Sequence, residues 1–175
     1  WPCGKSLPEL IPHGGTMSDK LDVTTLERPS IVSIVSSTNV SGPVKVMLRF
    51  LTDALHSKHP IEVKNIIALG DSDHLLREEA ARRSIPVQTI FRRRGGYPAL
   101  AIEIGRSLSR DRQNLVIETH SFLPSFVGAY CKASYGVPWI CYLHGTTREN
   151  TRVRLFHVLD SWLQLYASKV VLVSE

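Results

Sequence analysis

The sequence predicts an α/β fold, a Rossmann-like doubly wound parallel sheet of about six strands. Short apolar runs alternate with amphipathic stretches from residue 30 onwards, and the connections between them are short. Two of the apolar runs, separated by one helical stretch, each lead to a histidine. Because a strand, a crossover helix and a second strand form a right-handed parallel unit, the two histidines are expected at one edge of the sheet. In open α/β sheets, ligands bind at that edge.

Length and composition fit one such domain. The chain has 175 residues, of which 43% are apolar, enough to bury a core without disulfides or a metal. The cysteines Cys3, Cys131 and Cys141 are odd in number and lack a CxxC spacing, which indicates reduced thiols of a cytosolic protein. No apolar run reaches the roughly 18 to 20 residues of a membrane span, and no signal peptide pattern is present. We therefore expect a cytoplasmic protein.

The individual elements follow from changes in hydrophobic period. The predicted strands contain the runs 31–36, 63–69, 87–91, 115–117, 139–143 and 169–173. The predicted helices span 43–55, 73–83, 99–110, 122–135 and 152–167. In the second helix, which is rich in charge, Leu75, Leu76 and Ala80 are expected to face the core. The fourth helix is expected to end where Gly136 and Pro138 follow.

The two ends of the chain have a different character from its middle. Residues 1–29 contain four prolines and no sustained period, which indicates an irregular N-terminal arm. Met17 is a candidate native start, and residues 1–16 would then be an upstream or vector-derived extension. Residues 30–175 form the predicted Rossmann-like domain. Because the chain stops directly after a predicted strand, we interpret it as half of a larger architecture.

Positive charge is concentrated between Arg77 and Arg112. This stretch has nine arginines and four acidic residues, so its local net charge is +5. The net charge of the whole chain is also +5, so the excess lies within this stretch. Clustered arginines attract phosphates, so Arg92, Arg93 and Arg94 are candidates for contact with an anionic partner or membrane surface. A solvated surface face is the alternative. No nucleic-acid partner is expected, because no aromatic residue interleaves these arginines and no nucleic-acid motif accompanies them.

The loop between the first strand and the first helix is a candidate anion site. A strand, a small-residue loop and a helix in this order leave backbone N–H groups at the sheet edge, and Asn39, Ser41 and Gly42 are the candidates. The loop has neither the G-x-G-x-x-G spacing nor the Gly-Lys-Ser/Thr of a Walker loop, which disfavours a dinucleotide-dependent oxidoreductase. A Gly42 that only allows a tight turn is the alternative reading of this loop.

Several stretches together resemble the retaining glycosyltransferases of family 4, which have the two-domain GT-B architecture. They are the strand, loop and helix 31–55 with a glycine before the helix, Glu118-Thr119-His120 at a strand end, Gly136-Val137-Pro138 leading to His144-Gly145, and the closing 171–175. The resemblance covers residues 31–175 and implies the N-terminal, acceptor-binding half of such an enzyme. The chain departs from the family at Ser41-Gly42-Pro43, where a doubled glycine is common.

The resemblance also implies roles for residues at the predicted edge. His120 would be the catalytic histidine beside the donor sugar, and the loop 39–42 would face the donor diphosphate and acceptor. The acceptor side would be lined by His144, Thr146, Thr147 and Arg148. The donor would be a nucleotide sugar held by a C-terminal domain that this chain lacks, so the chain alone would not catalyse transfer. The acceptor would be a sugar, lipid or protein, and neither a metal nor another cofactor would be required.

Two alternatives stay open at this point. A histidine that ends a buried strand often has only a structural role, and this applies to His120 and His144. The chain would otherwise be a non-enzymatic Rossmann-like binding or regulatory module with an arginine-rich docking surface, in peripheral contact with the inner face of a membrane. The remaining histidines lack metal-ligand spacing, so no metal site is predicted.

Overall fold

The computed structural model describes residues 28–36, 39–58, 61–70, 74–90, 96–110, 113–144 and 151–173. Six strands and five helices alternate within these ranges. The strands are β1 Ser30–Val35, β2 Glu62–Leu69, β3 Val87–Ile90, β4 Leu115–His120, β5 Trp139–His144 and β6 Lys169–Val173. The helices are α1 Gly42–Leu55, α2 His74–Ala81, α3 Gly96–Ser109, α4 Phe122–Tyr135 and α5 Thr151–Gln164. None of the described helices has the length and apolar character that crossing a membrane requires.

The six strands form one parallel sheet in the order β3-β2-β1-β4-β5-β6. The chain winds outward from β1 to β3 and then crosses back to β4, which lies on the other side of β1. The direction of winding therefore reverses between β1 and β4. This order confirms the predicted doubly wound, Rossmann-like sheet.

Helices cover the two faces of the sheet and make two separate cores. On one face, α1 and α2 pack over β1 and β2, with Val44, Met47 and Leu76 fully buried. On the other face, α3 and α4 pack over β1, β4 and β5, with Ile104 and Trp139 buried. Strand β1 supplies alternate residues to both cores, which explains its almost unbroken apolar sequence.

Most helix and strand boundaries agree with those predicted from the sequence. One residue that was predicted to face the core is exposed instead. α4 and β6 begin and end at the predicted residues, and Gly136 closes α4 in the left-handed conformation at φ 70°. Leu75 was expected in the core, but its side chain is 53% exposed, whereas Leu76 is fully buried. Adjacent residues of a helix point about 100° apart, so only one of the two leucines can face the sheet.

The indole of Trp139 connects α4 to the sheet. Its Nε1 donates a hydrogen bond of 2.8 Å to Oγ1 of Thr119 on β4, and both residues are fully buried. Gly128 of α4 lies against the same indole, so closely that a Cβ at residue 128 would overlap the ring. The absence of a side chain at Gly128 therefore sets how closely α4 approaches β5.

Replacing Gly128 with Ala should destabilise the fold. The new methyl group overpacks the indole of Trp139, which typically costs about 1–3 kcal/mol of the free energy of unfolding and outweighs the gain of up to about 1 kcal/mol in helix propensity. Urea denaturation measures the difference. The exposed Ser134→Ala on the same helix is the control and should be nearly neutral. A Gly128→Ala variant as stable as the wild type would contradict this account of the packing.

Candidate functional site

The candidate site lies at the carboxyl edge of the sheet, where β1, β4 and β5 end side by side. His120 pairs in register with Val35 of β1 and with Tyr142 of β5. Immediately after β1 and β4, the hydroxyl groups of Ser36 and Ser121 are 2.6 Å apart. This contact bridges the point at which the winding reverses, and open α/β sheets bind ligands in the crevice outside such a point.

The two histidines expected at one edge are in contact. Nδ1 of His120 lies 3.1 Å from Nε2 of His144, and the ring centroids are 5.3 Å apart. His120 is only 1% exposed, whereas His144 is half-buried. The parallel strands β4 and β5 bring the two side chains together because both end on the same edge. Of the pair, His144 is the one with surface available to a ligand, and the catalytic role of His120 stays a prediction.

Aromatic rings hold His120 in place from the α1 side of the sheet. The ring of Tyr142 stacks on His120 with centroids 4.5 Å apart and planes inclined by 20°. Phe50 of α1 lies 6.3 Å from Tyr142, also between centroids. Burial, followed by the nearby Glu118, raises the pKa of Tyr142 to about 12, so its hydroxyl keeps its proton at neutral pH. The stack leaves His120 little freedom to rotate.

Glu118 is the site residue to which sequence reasoning assigned no role of its own. Its side chain is fully buried, and Oε1 accepts a hydrogen bond from the hydroxyl of Ser33 on β1. Nε2 of His120 lies 3.5 Å from the same oxygen. Oε2 has no hydrogen-bond partner among the described residues. The signal in the sequence was the two-residue spacing of Glu118 and His120, which puts both side chains on one face of a strand.

His144 is uncharged at neutral pH. Burial, followed by the neighbouring His120, lowers the pKa of His144 to about 4 from its ordinary value of 6.5. A neutral imidazole has one donor and one acceptor nitrogen. His144 therefore offers directional hydrogen bonding rather than positive charge to a ligand at this edge.

The predicted anion loop lies at the start of α1. Ser41 is the N-cap residue, and its backbone N–H donates to the carbonyl of Asn39 at 2.8 Å. No side chain caps the helix, and Asn39, Ser41 and Gly42 are all exposed. The loop follows β1 and so begins at the edge where the histidines lie.

The remaining predicted site residues lie outside the described residues. On the acceptor side they are Thr146, Thr147 and Arg148, and on the anionic surface they are Arg92, Arg93 and Arg94. Within the described ranges, no group of three or more histidine, cysteine, aspartate or glutamate side chains is arranged to hold a metal ion. Independence from metals stays an expectation.

Comparison of sequences gave no relatives. No family model matches the chain, and no curated protein matches it.

Solved structures share the fold. HepE of Anabaena in complex with UDP superposes with a TM-score of 0.60 at 14% identity, over 81% of this chain and 36% of HepE. HepE in complex with UDP-glucose gives the same TM-score at 15% identity. UDP-GlcNAc 2-epimerase of Neisseria meningitidis, bound to UDP-GlcNAc, superposes with a TM-score of 0.55 at 9% identity, over 79% of this chain and 39% of the epimerase.

At these identities the likeness shows the fold alone. The chain has a Rossmann-like α/β fold that matches structural neighbours of GT-B type. It spans 36 to 39% of the length of these proteins. Neither the family nor the stereochemistry of transfer follows from the likeness.

Acid should destabilise the folded chain partly through His144. The unfolded chain binds this proton near pH 6.5, whereas the folded chain binds it only near pH 4, so the unfolded state holds more protons between these values. The free energy of unfolding should therefore fall as the pH is lowered from about 6.5 to about 4. Urea titrations at several pH values measure this slope.

The matched variant for this measurement is His144→Gln, which keeps a polar side chain but cannot titrate. Its stability should depend less steeply on pH within that window than the stability of the wild type. The exposed Ser134→Ala should follow the wild-type slope. Equal slopes for His144→Gln and the wild type would contradict a depressed pKa at His144.

Proposed function

We propose that this chain is the N-terminal, acceptor-binding half of a retaining glycosyltransferase of family 4, which transfers a sugar from a nucleotide-sugar donor to an acceptor. The observation that carries the proposal is the contact of His120 with His144, 3.1 Å apart at the carboxyl edge of the sheet. This edge adjoins the reversal between β1 and β4, where open α/β sheets bind their ligands.

The fold supports the same reading. Two structures with this fold were solved with UDP-glucose and UDP-GlcNAc bound, and each is more than twice as long as the part that this chain matches. In the proposed enzyme, the nucleotide would be held by a second half, and the crevice between the halves would enclose the reacting sugar. The 175-residue chain alone would not catalyse transfer.

The start of α1 supplies a physical reason for transfer chemistry at this edge. Cleavage of the bond between a sugar and a nucleoside diphosphate builds negative charge on the departing phosphate, so N–H groups that point towards that phosphate lower the barrier. α1 begins at the sheet edge without a side-chain cap. Pro43 has no N–H and the N–H of Lys45 donates to the carbonyl of Ser41, so the N–H of the exposed Gly42 is the one that the first turn offers a ligand. Asn39, Ser41 and Gly42 are the residues that would face the diphosphate.

The histidine pair supplies the contacts to the sugar. A neutral His144 accepts and donates hydrogen bonds, which suits the hydroxyl groups of a sugar better than a fixed positive charge would. His120 supports His144 from the buried side and contacts no open surface of its own. In this arrangement the acceptor or donor sugar touches His144 directly.

Replacement of His120 by Ala should sharply reduce transfer. The test uses a protein that contains this chain together with a nucleotide-binding half, assayed with UDP-glucose, UDP-GlcNAc and other nucleotide sugars. Loss of the histidine pair should lower kcat/KM by about 100-fold, the scale for removing one well-placed polar group from an active site. Circular dichroism checks that the variant is folded.

His56→Ala is the matched control, because His56 is exposed just after the C-terminal end of α1, away from the carboxyl edge. It should turn over at the wild-type rate. Normal turnover by a folded His120→Ala variant would remove His120 from the mechanism. The absence of transfer from every nucleotide sugar would contradict the function itself.

A further inference from the structure

The buried carboxyl group of Glu118 receives two donors on one oxygen. The hydroxyl of Ser33 and the ring Nε2 of His120 both approach Oε1, whereas Oε2 has no partner within the described residues. An oxygen that accepts two hydrogen bonds does not itself carry a proton, so Oε1 of Glu118 acts as an acceptor.

This arrangement decides which nitrogen of His120 carries the proton. If Glu118 only accepts, the hydrogen bond to it requires a proton on Nε2 of His120. A ring that carries its one N–H on Nε2 has a lone pair on Nδ1, so Nδ1 of His120 is then an acceptor.

The same reasoning extends to His144. Nδ1 of His120 lies 3.1 Å from Nε2 of His144, so an accepting Nδ1 requires that Nε2 of His144 donate. His144 is neutral at pH 7, because its pKa is lowered to about 4. Its second nitrogen, Nδ1, then has a lone pair and no proton. No described residue is hydrogen-bonded to that nitrogen.

We propose that Glu118 is a positioning residue which, through His120, holds Nδ1 of His144 as a hydrogen-bond acceptor for a ligand hydroxyl group at the sheet edge. The chain of hydrogen bonds runs from Nε2 of His144 to Nδ1 of His120, and from Nε2 of His120 to Oε1 of Glu118. This inference rests on the proposed function only for the ligand, since a sugar supplies the hydroxyl. The positions of the protons on the two imidazole rings are a property of the chain without ligand.

The burial of Glu118 also favours a role beyond packing. An oxygen without a partner in the interior costs free energy, and an apolar residue of similar shape would avoid that cost. Thr119 and Trp139 already satisfy each other on the opposite face of the same strands, which shows that this part of the sheet can pair its polar groups. Glu118 keeps an unsatisfied oxygen and lies against His120, whose other ring nitrogen contacts the half-buried ring of His144.

NMR of ¹⁵N-labelled residues 1–175 at pH 7 tests the order of the protons without any donor or acceptor sugar. We expect ring protons on Nε2 of both histidines, and scalar coupling across the hydrogen bond from the N–H of His144 to Nδ1 of His120. A proton on Nδ1 of His144 in the wild type, or a His120 ring protonated on both nitrogens, would overturn the proposal.

Two variants separate orientation by Glu118 from ordinary packing. Glu118→Met keeps the shape of the side chain and removes the acceptor, so His120 should shift its proton to Nδ1 and donate to His144. The population of His144 with its proton on Nδ1 should then rise by about fivefold, the scale of one ordinary hydrogen bond. Ser33→Ala is the control, because it removes the other donor to Oε1 and should leave both rings unchanged.

The outcomes distinguish this proposal from the proposed function. An unchanged proton order in a folded Glu118→Met variant would overturn the positioning role of Glu118, even if transfer occurs. A Glu118→Met variant that does not fold leaves the wild-type spectrum as the deciding measurement. The expected proton order in a protein that transfers no sugar would contradict the glycosyltransferase and leave the hydrogen-bonded chain in place.

Discussion

The structure depends on one constraint, that every strand of the sheet runs parallel to its neighbours. Strand β1 lies inside the sheet and is paired with β2 on one side and with β4 on the other. Parallel strands need a crossover of a dozen or more residues, so a helix returns the chain between each pair. All six strands therefore end at the same edge, and the residues that follow them meet there. The reversal between β1 and β4 separates the two series of helices, and it lies beside the edge at which His120 and His144 are in contact.

Several polar side chains are buried next to this edge. Ser33, Glu118 and His120 lie on the face of the sheet that α1 covers, directly behind the half-buried His144. A polar group placed there is shielded from water, which makes its hydrogen bonds stronger and an unpaired atom more costly. A buried polar side chain can therefore fix the orientation of a neighbouring side chain at the surface. The apolar remainder of the two cores provides the rigidity that this orientation requires.

The order of the elements could be predicted because their signals are local. α4 begins and ends at the expected residues because Gly136 and Pro138 stop the helix. The exposure of Leu75 and the burial of Glu118 depend instead on which elements pack against them. These tertiary contacts are not encoded in a local sequence pattern. A glutamate near a strand end is ordinarily solvated, so only the position of α1 shows that this one is enclosed. The pairing of two histidines was predictable from topology, but their separation was not.

The central position of β1 has a consequence for how the chain folds. β1 and β4 are neighbours in the sheet although Ser33 and Glu118 are 85 residues apart in sequence. At a synthesis rate of about 5–20 residues per second, β4 is made on the order of ten seconds after β1. Until then one long edge of an apolar strand is open to other chains. The nascent polypeptide is therefore most prone to misassociation in the interval before β4 has been synthesised. Binding by a chaperone would protect it most during that interval.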